Sequence, residues 1–124
     1  MMSGYRDLEI YKVAYSLAIQ IHRLSLELPK YELYEQGFQI RRSSKSVKDQ
    51  ISEGYGRGRY KADFIRFLVY AQASCDECTG QIQMIKELYP KNKGWDELFE
   101  SYLVLGKRIN KYIQYVETSW KSKK

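Results

Sequence analysis

Apolar side chains recur along this chain in four runs, at alternating steps of four and three residues. In the first run Ile10, Ala14, Leu17, Ile21, Leu24 and Leu28 fall on one helical face. The spacing predicts a helix over residues 7–28, opened by Asp7 as N-cap or first-turn acid. Pro29 closes it, because a proline pushes the preceding residue out of the α region. The second run, Leu33, Gly37, Ile40, Ser44, Val47 and Ile51, predicts a helix over 32–53. Its stripe is thin, with small residues where the other runs have large ones. Ser43, Ser44 and Ser46 therefore read either as points of close backbone approach or as hydroxyls facing a ligand. Gly54 is expected to end this helix as a left-handed cap. The third run is the strongest: Phe64, Leu68, Ala71, Cys75, Cys78, Ile82 and Ile85 predict a helix over 61–88, stopped near Pro90. In the fourth, Leu98, Tyr102, Leu105, Ile109, Tyr112 and Val116 predict a helix over 95–116, with Asp96 and Glu97 in the first turn, where the dipole favours acids. No segment alternates with the period of a strand.

Four helices of this length joined by short connections predict an all-α fold, an antiparallel up-down-up-down four-helix bundle. It is expected to form a single domain over 1–124, with a basic tail at 117–124. Further apolar residues lie off the stripes: Tyr15 and Ile19, Ile65 and Val69, Phe99, Leu103 and Ile113. With twelve tyrosines in 124 residues, these predict self-association into a homo-oligomer, since tyrosine suits half-buried contacts.

Charge changes the picture more than composition does. The formal net charge is +6, and it is regional. Residues 39–66 hold eight cationic side chains against only Asp49, Glu53 and Asp63. Arg41, Lys45 and Lys48 share one helical face. Arg57, Arg59 and Lys61 stand beside the start of the third helix, whose first amides favour a phosphate. The basic residues of the second helix read either as a solvated face or as a footprint for an anionic polymer. In the second case Arg41, Arg42, Lys45, Lys48, Arg57, Arg59 and Lys61 would contact phosphate, and Tyr55 and Tyr60 would stack on unpaired bases. Glu53, Gly54 and Gly56 are assigned to a structural loop, with Glu53 and Arg57 as an ion pair.

Other chemistry is thin. The Gly54-x-Gly56-x-Gly58 spacing follows a helix rather than a strand, which argues against a nucleotide-binding loop. Cys75, Cys78 and His22 are too few for a zinc site. A mid-helix Cys-x-x-Cys lacks the N-terminal dipole that activates a redox thiol, so both cysteines are expected to be buried and reduced. His22 is expected on the surface without a chemical role. No catalytic constellation, metal or cofactor is expected. No apolar run reaches membrane-spanning length, and Met1–Lys12 lacks the apolar core of a secretory signal, which predicts a cytoplasmic location.

Several segments together resemble a known family. These are Tyr5-Arg-Asp-Leu-Glu-Ile-Tyr-Lys-Val-Ala14, Gln39-Ile-Arg-Arg-Ser-Ser-Lys-Ser-Val47, Ile51-Ser-Glu-Gly54 with Gly56-Arg57, and Asp63-Phe-Ile-Arg-Phe-Leu68 followed by Ala71 and Ala73-Ser74. They resemble the bacterial four-helix-bundle proteins encoded within intervening sequences of 23S ribosomal RNA genes. The resemblance implies a homopentamer with no established enzyme activity, and association with RNA or the ribosome. A more distant resemblance links the chain to accessory proteins of diversity-generating retroelements, which bind a reverse transcriptase. Where the family usually shows Asn-Ile-Ala-Glu-Gly, this chain has Gln50-Ile-Ser-Glu-Gly54, whose amide reaches one methylene further. The expected function is non-enzymatic association with RNA. The alternative is an oligomeric protein-interaction scaffold, such as an accessory subunit of a polymerase or reverse transcriptase.

Overall fold

A computed structural model describes residues 4–121. Among them the fold is all-α and contains no strand. A 3-10 turn at Tyr5–Asp7 precedes α1 (Glu9–Ser25), a short α2 (Lys30–Leu33), α3 (Gln36–Gly56), α4 (Lys61–Leu88) and α5 (Gly94–Ser119). The four long helices enclose one core, with α3 packed on both α1 and α4, and α5 packed on both α4 and α1. Cys75 and Cys78 lie fully inside, as does the rest of the α4 stripe from Phe64 to Ile85. The α3 stripe is buried at Gly37, Ile40, Ser44, Val47 and Ile51. The 4–3 pattern therefore named the core faces, because burial of one stripe is what holds such helices together. It missed Trp95, which is fully buried at the start of α5, and Ile113, which is buried beside half-exposed Tyr112.

Several boundaries differ from the sequence expectation. Asp7 belongs to the preceding 3-10 turn, and Leu8 occupies the N-cap of α1. The end of α1 comes before Leu28, because the amides of Leu26, Glu27 and Leu28 bond back three residues, to the carbonyls of Arg23, Leu24 and Ser25. That tighter winding turns Leu28 into the core. The second predicted helix is broken at Tyr34 and Glu35. There the carbonyl of Leu33 accepts from Arg41 Nη2 at 2.8 Å, and Glu32 Oε1 accepts from the Gln36 amide at 3.4 Å.

Gly54 is not a left-handed cap. No residue has a positive φ among those described, and α3 runs through Gly54 to Gly56. Gly54 instead lets α3 and α4 approach. A Cβ there would lie 2.9 Å from Phe67 Cβ, 3.2 Å from Phe64 Cδ1 and 3.3 Å from the Phe64 carbonyl oxygen. A Cβ on Gly56 would meet nothing within 4 Å. Gly54→Ala is expected to destabilise by about 1–2 kcal/mol, overpacking outweighing the roughly 1 kcal/mol gain in helix propensity. Gly56→Ala should stabilise by about 0.5 kcal/mol. Urea denaturation of both variants checks the pair.

The predicted basic tail is in part structured. Helix α5 continues to Ser119, and the Trp120 indole donates to the Gly58 carbonyl at 2.9 Å. Lys123 and Lys124 of that tail lie outside the described residues.

Candidate nucleic-acid interface

The basic residues of 39–66 do not form one patch. Arg41 turns inward: its Nη1 donates to Ser25 Oγ at 2.9 Å and its Nη2 to the Leu33 carbonyl. The path crosses Gly37, where a Cβ would lie 2.9 Å from Arg41 Nη1. Arg41 thereby ties α3 to the end of α1 and to α2, and its guanidinium is occupied by protein rather than presented to a phosphate. Arg41→Gln is expected to lower stability by about 2 kcal/mol, from the loss of two charge-assisted bonds. Urea denaturation of the variant reads the loss.

The bend itself is neutralised in part. Glu53, in the last turn of α3, accepts from Nε of Arg57, the residue just past the helix end, at 2.9 Å. Asp63 pairs with Arg66 at 3.4 Å, and both arginines lie over the Phe67 ring, at 4.9 and 5.3 Å from its centre. The expected Glu53–Arg57 pair is thus present, although α3 ends at Gly56 rather than at Gly54. Tyr55 does not stand out for base stacking. It packs edge-on against Phe64 and Trp120, with ring centres 6.0 and 6.1 Å away. Tyr60 is exposed at the N-cap of α4, with Arg59 over its ring, and Lys61 is half-exposed.

Helix α3 divides its remaining cations between two sides. Arg42 lies over Phe38 and borders a polar cleft with Gln39, Ser43, Ser46, Glu77 and Gln81. The serine hydroxyls there are engaged: Ser43 donates to the Gln39 carbonyl and Ser46 bonds Ser74 across to α4 at 2.9 Å. These contacts favour the close-packing account of the small residues. Lys45 and Lys48 face the other way, toward α1. With Tyr15, Ala18, Ile19, His22 and Arg23 they line an open groove of about 370 Å³. Lys48 also pairs with Asp49. Lys45 Nζ lies 3.1 Å from His22 Nδ1. An ammonium only donates, so this nitrogen accepts and the imidazole proton sits on Nε2. Partial desolvation, then the charges of Lys45 and Arg41, push His22 below its ordinary value. Toward the start of α1, Tyr11 and Lys12, with Arg6 from the preceding turn, surround Tyr15.

Local sequence pattern does not reveal this groove, since its two walls are distant in the chain. A trace existed: Tyr15, Ile19 and Arg23 are spaced by four residues, but the first two were assigned to self-association. The cysteines are inert by environment. Burial, and secondarily Asp76, pushes the Cys75 thiol up to about 12, and burial raises Cys78 as well. Beside them the buried Tyr102 hydroxyl lies against Cys78 and Ser44 without the geometry of a full hydrogen bond. No group of three or more metal-ligating side chains gathers among the described residues. Among them, too, no helix is long and apolar enough to cross a membrane.

No curated protein matches the sequence. The family model for the 23S rRNA-intervening sequence protein matches residues 6–111, a span from the turn before α1 into the last third of α5. That family is not a known class of enzymes. A match over most of the chain, on an all-α fold of four long helices, assigns the family: this chain belongs to the 23S rRNA-intervening sequence proteins.

Proposed function

We propose that this protein is a non-enzymatic helical-bundle module that associates with RNA through the side formed by α1 and α3. The observation that carries this reading is the groove in which Arg23, Lys45 and Lys48 rim an apolar floor of Tyr15, Ala18 and Ile19. Ammonium and guanidinium groups take phosphates, and an exposed aromatic ring takes a base face. Family membership supports RNA over other polyanions. Arg42, Arg59 and Lys61 extend the cationic surface beyond the groove, whereas Arg41 and Arg57 are engaged by protein partners.

The bundle is read as antiparallel and up-down-up-down, consistent with the short connections before and after α4. It is further read as a cytoplasmic homo-oligomer, with five copies as the family implies. Val69, Tyr70, Leu103 and Val104 are exposed on α4 and α5 and offer apolar surface for such contacts. The same residues favour a second reading, an interaction scaffold for a protein partner.

Salt separates the two readings. Binding of a short RNA, followed by fluorescence anisotropy, should weaken by more than about tenfold between roughly 50 and 200 mM salt, as phosphate contacts release counterions. Failure to bind RNA at the lower salt would remove the reading and leave the scaffold.

A further inference from the structure

The groove between α1 and α3 differs from a plain basic patch in two ways. Its floor is apolar and partly aromatic: Tyr15 is 47% and Ile19 36% exposed, side by side one helical turn apart, with Ala18 buried between the walls. Its rim includes a titratable group held in contact with a cation, His22 against Lys45. A double helix presents stacked bases edge-on and shielded, so it has no use for an apolar floor. An unpaired nucleotide has both a flat face and a phosphate, and the groove offers a partner for each.

We propose that this groove is a subsite for one unpaired nucleotide of an RNA strand, its base against Tyr15 and Ile19, its phosphate between Lys45, Lys48 and Arg23, and that His22 takes up a proton as it binds. The inference rests on the RNA reading above and adds the class of RNA and a linkage to pH.

The electrostatics fix the sign. From α3, Lys45 touches His22 and the inward-turned Arg41 acts on it through its charge, while Lys48, with Arg23 of α1, borders the same groove. The carboxylate of Asp49 is held by Lys48, and those of Glu27 and Glu97 line the next groove, between α1 and α5, which Arg23 also borders. In the unbound protein the imidazolium is disfavoured by partial desolvation and, after it, by its cationic neighbours. A bound phosphate offsets that repulsion and draws Lys45 away from Nδ1, which leaves both ring nitrogens able to carry a proton. Binding raises the histidine's affinity for a proton, so by linkage a lower pH tightens binding. One proton limits the effect to about tenfold per pH unit.

The test uses the full chain and a short oligouridine strand, whose bases do not titrate in this range. Its affinity is expected to rise about three- to tenfold from about pH 7.5 to 5.5. His22→Gln should flatten that profile. Tyr15→Ala should weaken the single strand about tenfold and a paired duplex of the same length by much less. Calorimetry in two buffers of different ionisation enthalpy should show proton uptake with the strand. Three results would overturn the subsite while leaving RNA association intact. These are equal affinity at both pH values, an unchanged profile in His22→Gln, or equal loss on strand and duplex in Tyr15→Ala. Proton-linked binding of free uridine monophosphate as tight as that of the strand would reassign the site to a free nucleotide. Conversion of an oligomer to a monomer by Tyr15→Ala, seen by light scattering, would reassign the groove to a second copy of the chain. Absence of binding to any RNA at low salt would instead remove the functional reading itself.

Discussion

Reversing two charges, Lys45→Glu with Lys48→Glu, is expected to lower RNA affinity by about a hundredfold at low salt. Both side chains border the α1/α3 groove, and neither is buried in the core. Lys45 spends one of its three ammonium hydrogens on His22, and Lys48 pairs with Asp49, so each keeps donors for a phosphate oxygen. Reversal removes two attractive contacts and adds two repulsive ones. It should also flatten the salt dependence, by about one unit of log–log slope per lost phosphate contact. Thermal stability should change by about 1 kcal/mol, since Lys45 is exposed and Lys48, though half-buried, is paired only with the exposed Asp49. Anisotropy titration at several salt concentrations, beside a melting curve, reads both. Undiminished retention in a folded double variant would place the footprint elsewhere, with Arg42, Arg59 and Lys61 the next residues to change.

Phe64→Ala should produce the largest loss of stability of any single change considered, about 3–5 kcal/mol. Phe64 is fully buried at the first turn of α4. Its ring meets three others edge-on: Trp120 at 5.0 Å, Tyr55 at 6.0 Å and Tyr112 at 6.0 Å. Truncation removes a large apolar volume from a junction of α3, α4 and α5, and the three remaining rings cannot all close the space. It should also loosen Trp120, whose indole bond to the Gly58 carbonyl depends on the ring's position. A red shift of tryptophan fluorescence is therefore expected before the main unfolding transition in urea. Loss of less than about 1 kcal/mol would mean that this aromatic junction is not part of the cooperative core.

The same junction explains one error of sequence reading. Trp120 follows the last stripe residue, Val116, and stands before Lys-Ser-Lys-Lys, so local pattern assigns it to a tail. Nothing near it in sequence reveals that the turn after α3 supplies a carbonyl, and Tyr55 of α3 and Phe64 of α4 the rings, to receive it. Tyr55 is the mirror case. Its place in a basic, glycine-rich stretch suggested exposure, and the fold turned it toward Phe64. Gly54 was read by its most common role, helix termination, when the closeness of α4 is what requires it.

Periodicity alone determined which faces of the four long helices meet, because a helix in water is held by burial of one stripe, and the stripe is written in the spacing. It determined that α4 would carry the deepest run, and that the cysteines would lie inside. Charge counting determined that cationic side chains cluster in and around α3. Which of them remain for a ligand was decided only in three dimensions. Arg41 is spent on a hydroxyl of α1 and a carbonyl of α2, and Lys45 and Lys48 acquire Tyr15, Ile19, His22 and Arg23 as neighbours, whereas the pairing of Arg57 with Glu53, four residues away, was legible in the sequence. The physical reason is that a hydrogen bond or a shared groove depends on distance through space. Partners separated by twenty or thirty residues leave no mark on local pattern until the helices are laid side by side.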